Sequence, residues 1–150
     1  MYKKVFQLHS ELLKALANPK RLEVVHLLRG HRLTVSDMER MLGIRQANLS
    51  QHLMLLRKFG VVRAERRGKA IYYRLAHQNF MRASDALREV LLARLGGQAP
   101  SAAASLKVVS DPICGMRLTP ASAVATMRRG TTSYYFCGAG CQRQFIAKSH

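Results

Sequence analysis

Apolar residues at the start of the chain recur at helical spacing. Val5, Leu8, Leu12, Leu13 and Leu16 share one face and predict a first helix. Asn18-Pro19 supplies a capping side chain and a first-turn proline for a second helix, which buries Leu22, Val25 and Leu28 and stops at Gly30. Thr34-Val35-Ser36-Asp37 has the form of a capping box with Asp in place of Glu, and opens a short third helix through Met38, Met41 and Leu42. After Gly43 a fourth helix is expected from about Gln46 to Phe59, with Leu49, Leu53 and Leu56 inward and Gly60 at its end. Two short helices joined by a tight glycine turn make a helix-turn-helix unit.

The period then changes. Residues 61–66 and 70–75 are strand-like runs around Arg67-Gly68-Lys69, a β-hairpin with a basic tip. A long helix from about Gln78 to Leu95 carries Leu87, Leu91 and Leu95 at four-residue spacing. Apolar stripes on the first and last helices of this head point to a dimer interface. From Gly96 to about residue 107 the chain is small, uncharged and proline-containing until Lys107, which reads as a flexible linker. The expected fold is therefore mainly α with a β-hairpin wing (a winged helix-turn-helix) over 1–95, a linker over 96–107, and a small α+β cysteine-rich unit over 108–150.

Charge narrows the partners. Twenty-five Lys and Arg face eight Asp and Glu, a formal +17, in a chain of 150 residues. Residues 1–98 carry net +12 and residues 99–150 net +5, so the excess is not confined to a tail. Such a field attracts polyanions, and double-stranded DNA is the expected partner. A membrane is not, because the basic residues are not confined to one face of one amphipathic helix and no apolar run approaches the roughly 20 residues of a span. Glu11 and Lys14 interrupt the N-terminal apolar stretch, which excludes a signal peptide and implies a cytoplasmic chain.

In a helix-turn-helix the second helix enters the major groove. With Leu49 in the core, the outward positions are Gln46, Ala47, Asn48, Ser50 and Gln51. Gln and Asn can pair bidentately with adenine, Ser can bond either way, and an Ala methyl can meet thymine. Arg45 stands where a Ser or Asp cap is usual, and reads either as a phosphate contact or as an exposed helix-start arginine. Arg66, Arg67 and Lys69 at the hairpin tip are placed to reach backbone or minor groove.

Residues 11–77 resemble the ArsR/SmtB family of winged-helix repressors. The stretches carrying the resemblance are ALANPKRLEVVHLL (15–28), LTVSDMERMLGI (33–44), ANLSQHLMLLRKFGVV (47–62) and RRGKAIYYRL (66–75). The resemblance implies a homodimer on a palindromic operator that is released when an inducer binds. His52 belongs to that helix pattern and is expected to support the recognition helix or contact DNA. Many relatives sense metal through a Cys-x-Cys pair early in the third helix, where this chain has Thr34-Val35-Ser36-Asp37. Others use Asp, His and Glu on the last helix, where it offers only Asp85 and Glu89 among arginines, and these read as surface ion pairs. His9, His26, His31 and His77 are scattered singly and read as structural or exposed.

All three cysteines, Cys114, Cys137 and Cys141, lie in the last 37 residues. An odd, clustered set resembles a metal or redox site more than a disulfide framework. Cys137 and Cys141 flank a Gly-Ala-Gly turn, and a hairpin from Ala123–Met127 and Thr132–Phe136 would bring Cys114 near them. A helix start beside Cys141 and nearby cations are expected to lower the thiol pKa values. DPICGM and YYFCGAGC with a following Phe resemble the YHS and TRASH metal-binding domains over about 108–147, which implies a treble-clef-like module often tied to copper. Three thiolates suit Cu(I), favoured over Zn(II), As(III) or Hg(II); Asp111, His150, water or a second protomer would have to complete a zinc site. Met116 reads as a packing residue and a weak soft-metal ligand.

The expected function is a metal-responsive repressor in which metal orders the tail beside the last helix and resets the spacing of two reading heads. A thiol-redox or sulfide switch on the same cysteines is the alternative, and a metal carrier a further one. An enzyme is the least expected class, because no nucleophile–base pair is legible.

Overall fold

The computed structural model describes residues 2–96 and 107–148. The proposed linker and His150 as a candidate ligand fall largely or wholly outside them. The first unit runs α1 (Tyr2–Leu16), α2 (Pro19–Leu27), α3 (Val35–Leu42), α4 (Gln46–Lys58), β1 (Val62–Arg67), β2 (Ala70–Leu75) and α5 (Asn79–Arg94). The second runs β3 (Val109–Ser110), β4 (Arg117–Leu118), a 3-10 turn (Pro120–Ser122), β5 (Ala125–Arg129), β6 (Thr132–Phe136) and α6 (Ala139–Ala147). Among the described residues, no helix is long and apolar enough to cross a membrane.

Local chemistry sets most of these boundaries. The Asn18 side chain accepts the Arg21 N–H at 3.2 Å, with Pro19 in the first turn of α2. Thr34 and Asp37 form the reciprocal capping box of α3: Oγ1 accepts from Asp37 N at 3.1 Å and the Asp37 carboxylate accepts from Thr34 N at 3.2 Å. Gly43, left-handed at φ 62°, turns the chain from α3 into α4. Leu49, Leu53 and Leu56 on α4 pack with Val24, Val25, Leu27 and Leu28 of α2 and its end, and with Leu33, Met38, Val61 and Val62. Leu22 lies half-buried beside that core rather than within it.

β1 and β2 pair antiparallel from Val62↔Leu75 to Arg67↔Ala70, with Gly68-Lys69 at the tip. A bridge between Leu33 and Tyr73 ties this hairpin to the α2–α3 turn. On α5, His26 of α2 meets Ser84 (Nε2···Oγ 2.9 Å) and Arg29 pairs with Asp85 (Nη2···Oδ1 2.6 Å). The apolar residues Val5, Leu8 and Leu13 of α1 and Leu87, Val90, Leu91 and Leu95 at α5 remain exposed.

In the second unit β3 and β4 form a two-residue ladder that closes a loop over 111–116, with Gly115 left-handed at φ 73°. β5 and β6 form a hairpin from Ala125↔Phe136 to Arg129↔Thr132. Phe145 of α6 packs on it, 4.7 Å from the Tyr134 ring and 5.4 Å from Phe136, beneath the Arg129 guanidinium.

The second unit sits not beside the last helix, where metal is expected to order it, but on α3, against which β4 and the 3-10 turn pack. Two backbone-directed hydrogen bonds explain the choice. Arg117 Nη1 donates to the Arg32 carbonyl at 2.7 Å, and Arg40 Nη2 of α3 donates to the Arg117 carbonyl at 3.2 Å. Val108 adds an apolar contact to the first unit's core.

Candidate functional site

Two groups of side chains stand out. The first is the outer face of α4. Arg45, Gln46, Ala47, Asn48, Ser50 and Gln51 are all exposed, while Leu49 between them is fully buried. Leu49, Leu53 and Leu56 fix the rotation of the helix, so its polar positions face outward as a set. His52 is half-buried. Arg45 makes no side-chain cap bond to the helix it precedes, so the start of α4 carries open N–H groups and a cation. Arg66, Arg67 and Lys69 are exposed at the hairpin tip, where Arg66 Nε also donates to the Gly68 carbonyl at 3.3 Å.

The second group is built around Asp111. The Asp111 carboxylate, Cys114, Cys137 and Cys141 offer ligand atoms that all lie within 4.8 Å of one another. Sγ of Cys137 is 3.5 Å from that of Cys114 and 3.7 Å from that of Cys141. The loop between β3 and β4 presents Cys114, the end of β6 presents Cys137, and Cys141 is the third residue of α6. Gly138, extended at φ −172°, caps α6 and turns the chain between the last two thiols.

Asp111, only 1% exposed, organises the cluster. Its Oδ1 accepts from Ile113 N at 2.8 Å and Cys114 N at 3.3 Å, and its Oδ2 accepts from Cys137 N at 2.8 Å. Burial alone would raise its pKa. The three N–H donors and the Cys137 thiol outweigh that and hold it at about 2. Sequence reasoning offered Asp111 only as a possible fourth ligand. Its signal as a turn-former was the Asp111-Pro112 pair just ahead of Cys114, since Asp side chains bond backbone amides two residues on.

The fixed carboxylate also reverses one expectation. Cys137 is pushed up to about 12, by its hydrogen bonds with Cys114 and then Asp111 and by burial. Cys141 is raised chiefly by burial. The helix start does not prevail: burial and the hydrogen bonds around Cys114 and Asp111 raise both groups. In this geometry Cys137 and Cys141 hold their protons until a cation displaces them. Met116 does not pack: it is 38% exposed, and its carbonyl accepts from Asp111 N at 2.9 Å.

A helix-turn-helix with an outward polar face and a basic hairpin defines a winged-helix DNA-binding regulator. Comparison with known proteins agrees. The family model "Bacterial regulatory protein, arsR family" matches residues 18–64. The chain is 42% identical over 82 residues to the biofilm growth-associated repressor of Agrobacterium fabrum, covering 55% of this chain and 70% of that protein. It is 44% identical over 66 residues to the HTH-type transcriptional repressor SmtB of Mycobacterium tuberculosis, covering 44% of this chain and 49% of that one. The crystal structure of the transcriptional repressor BigR from Xylella fastidiosa superposes with a TM-score of 0.54 at 35% identity, covering 59% of this chain and 91% of that one. The chain belongs to the arsR family of bacterial regulatory proteins, as a winged-helix transcription regulator.

Proposed function

We propose that the chain is a cytoplasmic, homodimeric repressor of palindromic operator DNA, whose C-terminal cysteines take up a thiophilic metal and thereby alter DNA affinity. In this reading residues 1–95 read DNA and dimerise, 96–107 link, and 108–150 form a YHS/TRASH-like, treble-clef-like sensor. Gln46, Ala47, Asn48, Ser50 and Gln51 meet base edges. Arg45, Arg66, Arg67 and Lys69 hold phosphates or the minor groove, and His52 supports the helix. Dimerisation through α1 and α5 is supported by the exposed apolar rows on both, which water would otherwise wet.

The observation that carries the sensing half is the convergence of Asp111, Cys114, Cys137 and Cys141 within 4.8 Å. The donor set fits a metal: three sulfurs and one carboxylate suit either a soft ion or a four-coordinate zinc. Three of the Asp111 lone pairs are already spent on backbone N–H groups. The carboxylate therefore serves first as the frame of the thiol loop, which favours Cu(I) over Zn(II), As(III) or Hg(II). Bound metal would supply charge to hold three thiolates together. The chain's own work is to orient the sulfurs and to release their protons to water.

The test is fluorescence anisotropy of the reduced protein on its upstream DNA at fixed salt, with Cu(I), Zn(II), As(III) and Hg(II) added in turn. A variant with all three cysteines changed to Ser runs alongside. One ion should change affinity in the wild type alone; identical behaviour of both proteins in every ion would remove the metal from the reading. The short Sγ separations favour a second reading, a dithiol switch. Two thiols would give two electrons and two protons to a peroxide, leaving a disulfide and water. Peroxide-dependent release with no response to metal selects it.

A further inference from the structure

A third group of side chains lies where the two units meet. Between the Gly30–Arg32 turn, the hairpin and β4 there is an open cavity of about 470 Å³, lined by His31, Arg32, Arg67, Tyr72 and Arg117. Its three guanidinium groups come from the α2–α3 turn, the end of β1 and the second unit, far apart in sequence, so only the tertiary structure gathers them.

Their charge is poorly matched. Glu65 is the carboxylate beside them, and it is shared: it bonds Arg74, and lies 3.6 Å from Arg32 Nη1 and 3.8 Å from Arg67 Nη2. Arg117 spends its Nη1 on the Arg32 carbonyl, a neutral acceptor. Burial, and next the Arg117 charge, lower the His31 pKa, which favours its neutral imidazole. A larger cavity of about 640 Å³ lies on the other side of the same turn. There two of the four lining arginines are already matched, Arg29 by Asp85 and Arg74 by Glu65. Like charges gathered around an open space are stabilised by an anion. Guanidinium forks fit the tetrahedral oxygens of a phosphate ester, and Tyr72 and His31 offer neutral donors beside them.

We propose that this cavity holds a phosphate ester, supplied by the DNA backbone flanking the α4 contact, so that the C-terminal unit contributes Arg117 to the DNA interface directly. The inference rests on the reading of the chain as a DNA-binding regulator. The hairpin supports DNA as the source, because Arg67 belongs both to this cavity and to the basic tip that lies along a duplex. It also gives the second unit a physical route to DNA affinity: undocking from α3 takes away a phosphate contact.

The test uses the full chain, by fluorescence anisotropy between 50 and 200 mM salt, on a duplex of its upstream region and on a scrambled duplex of equal length. Arg117→Ala and Arg32→Ala remove one cation each, and Arg32→Ala keeps the carbonyl that docks the second unit. Each should weaken binding to both duplexes by the same factor and lower the salt slope by about 0.9 per protomer, about 1.8 for the dimer, so that the loss across this fourfold salt range becomes about 12-fold gentler. Arg32→Lys keeps the charge and should keep the slope. Wild-type slopes in both alanine variants would overturn the proposal. So would saturation of the cavity by inorganic phosphate, lost in Arg32→Ala, with duplex slopes unchanged, which would mark it as a site for a free oxyanion. Failure of the wild type to bind either duplex would instead sink the DNA-binding reading on which the proposal stands.

Discussion

Fifteen buried apolar side chains form one continuous core in residues 2–96, whereas residues 107–148 bury two, Leu118 and Phe136, beside the polar Asp111 and Thr119. The first unit is held by apolar area removed from water, a force the chain supplies unaided. The second is held by hydrogen bonds: the Asp111 carboxylate on three amides and the reciprocal Thr119–Ser122 cap. A unit with so little core is marginal until something further ties it. On the sensing reading proposed above, stability and responsiveness are divided along the chain. The region that must present a fixed helix to DNA has its own core, and the region with converging thiols is poised for an added ligand to stabilise it.

The sharpest way to break this contrast is Asp111→Ala. Three N–H groups lose their acceptor, at about 1–3 kcal/mol each, against about 1.5–3 kcal/mol from each of two buried apolar side chains. Residues 107–148 should lose amide protection in hydrogen exchange while α2 to α4 keep theirs. Unchanged protection in β5 and β6 would show that the carboxylate is not the frame.

Leu53→Ala tests the other side. Truncating a side chain 1% exposed in the centre of α4 should cost about 2–5 kcal/mol and lower the first unit's melting transition. Metal uptake by the three thiols, followed by their absorption on titration, should stay as in the wild type. Coupled loss of both would mean the units fold as one.

Arg45→Ser sharpens the division within α4 itself. Position 45 has extended backbone and no side-chain cap, so serine should stabilise the helix by about 1 kcal/mol in urea unfolding. DNA affinity should fall in the same variant. A rise in both would make Arg45 a misplaced cap and not a phosphate contact.

The smallest effect expected is in pH dependence. Burial, and next the Arg29 charge, lower the pKa of His26, which is packed against Ser84 with Asp85 and Arg88 nearby. The folded form then binds fewer protons than the unfolded one below the ordinary histidine value. Its contribution is complete above that value and is lost as pH falls through it. His26→Gln should therefore flatten the decline in urea midpoint between about pH 7 and 5. Parallel curves would discharge His26 from that role.

How much of this was legible in the sequence follows the range of the interactions. The capping box at Thr34 and Asp37, the glycine turn at Gly43 and the inward leucines of α4 involve residues within a few positions of one another. Helix periodicity and side-chain-to-backbone bonding fix them before any tertiary contact forms. The basic hairpin tip and the clustering of three cysteines were read the same way. The thiol pKa direction was misread because it depends on burial and on contacts with Cys114 and Asp111 that only the fold assembles, such as the Cys137 amide bound to Asp111 Oδ2 from 26 residues away.

The sequence by itself determined the elements, the polar face of α4 and the residue types available at each site, because periodicity, caps and turn chemistry are local. Only the tertiary structure decided that a buried carboxylate frames the thiol loop, that the second unit docks on α3 and not on the last helix, and that Arg32, Arg67 and Arg117 share one cavity. Those outcomes turn on long-range hydrogen bonds such as Arg117 to the Arg32 carbonyl, 85 residues apart. No local spacing encodes such a contact, since its free energy exists only once the chain has closed the loop between the partners.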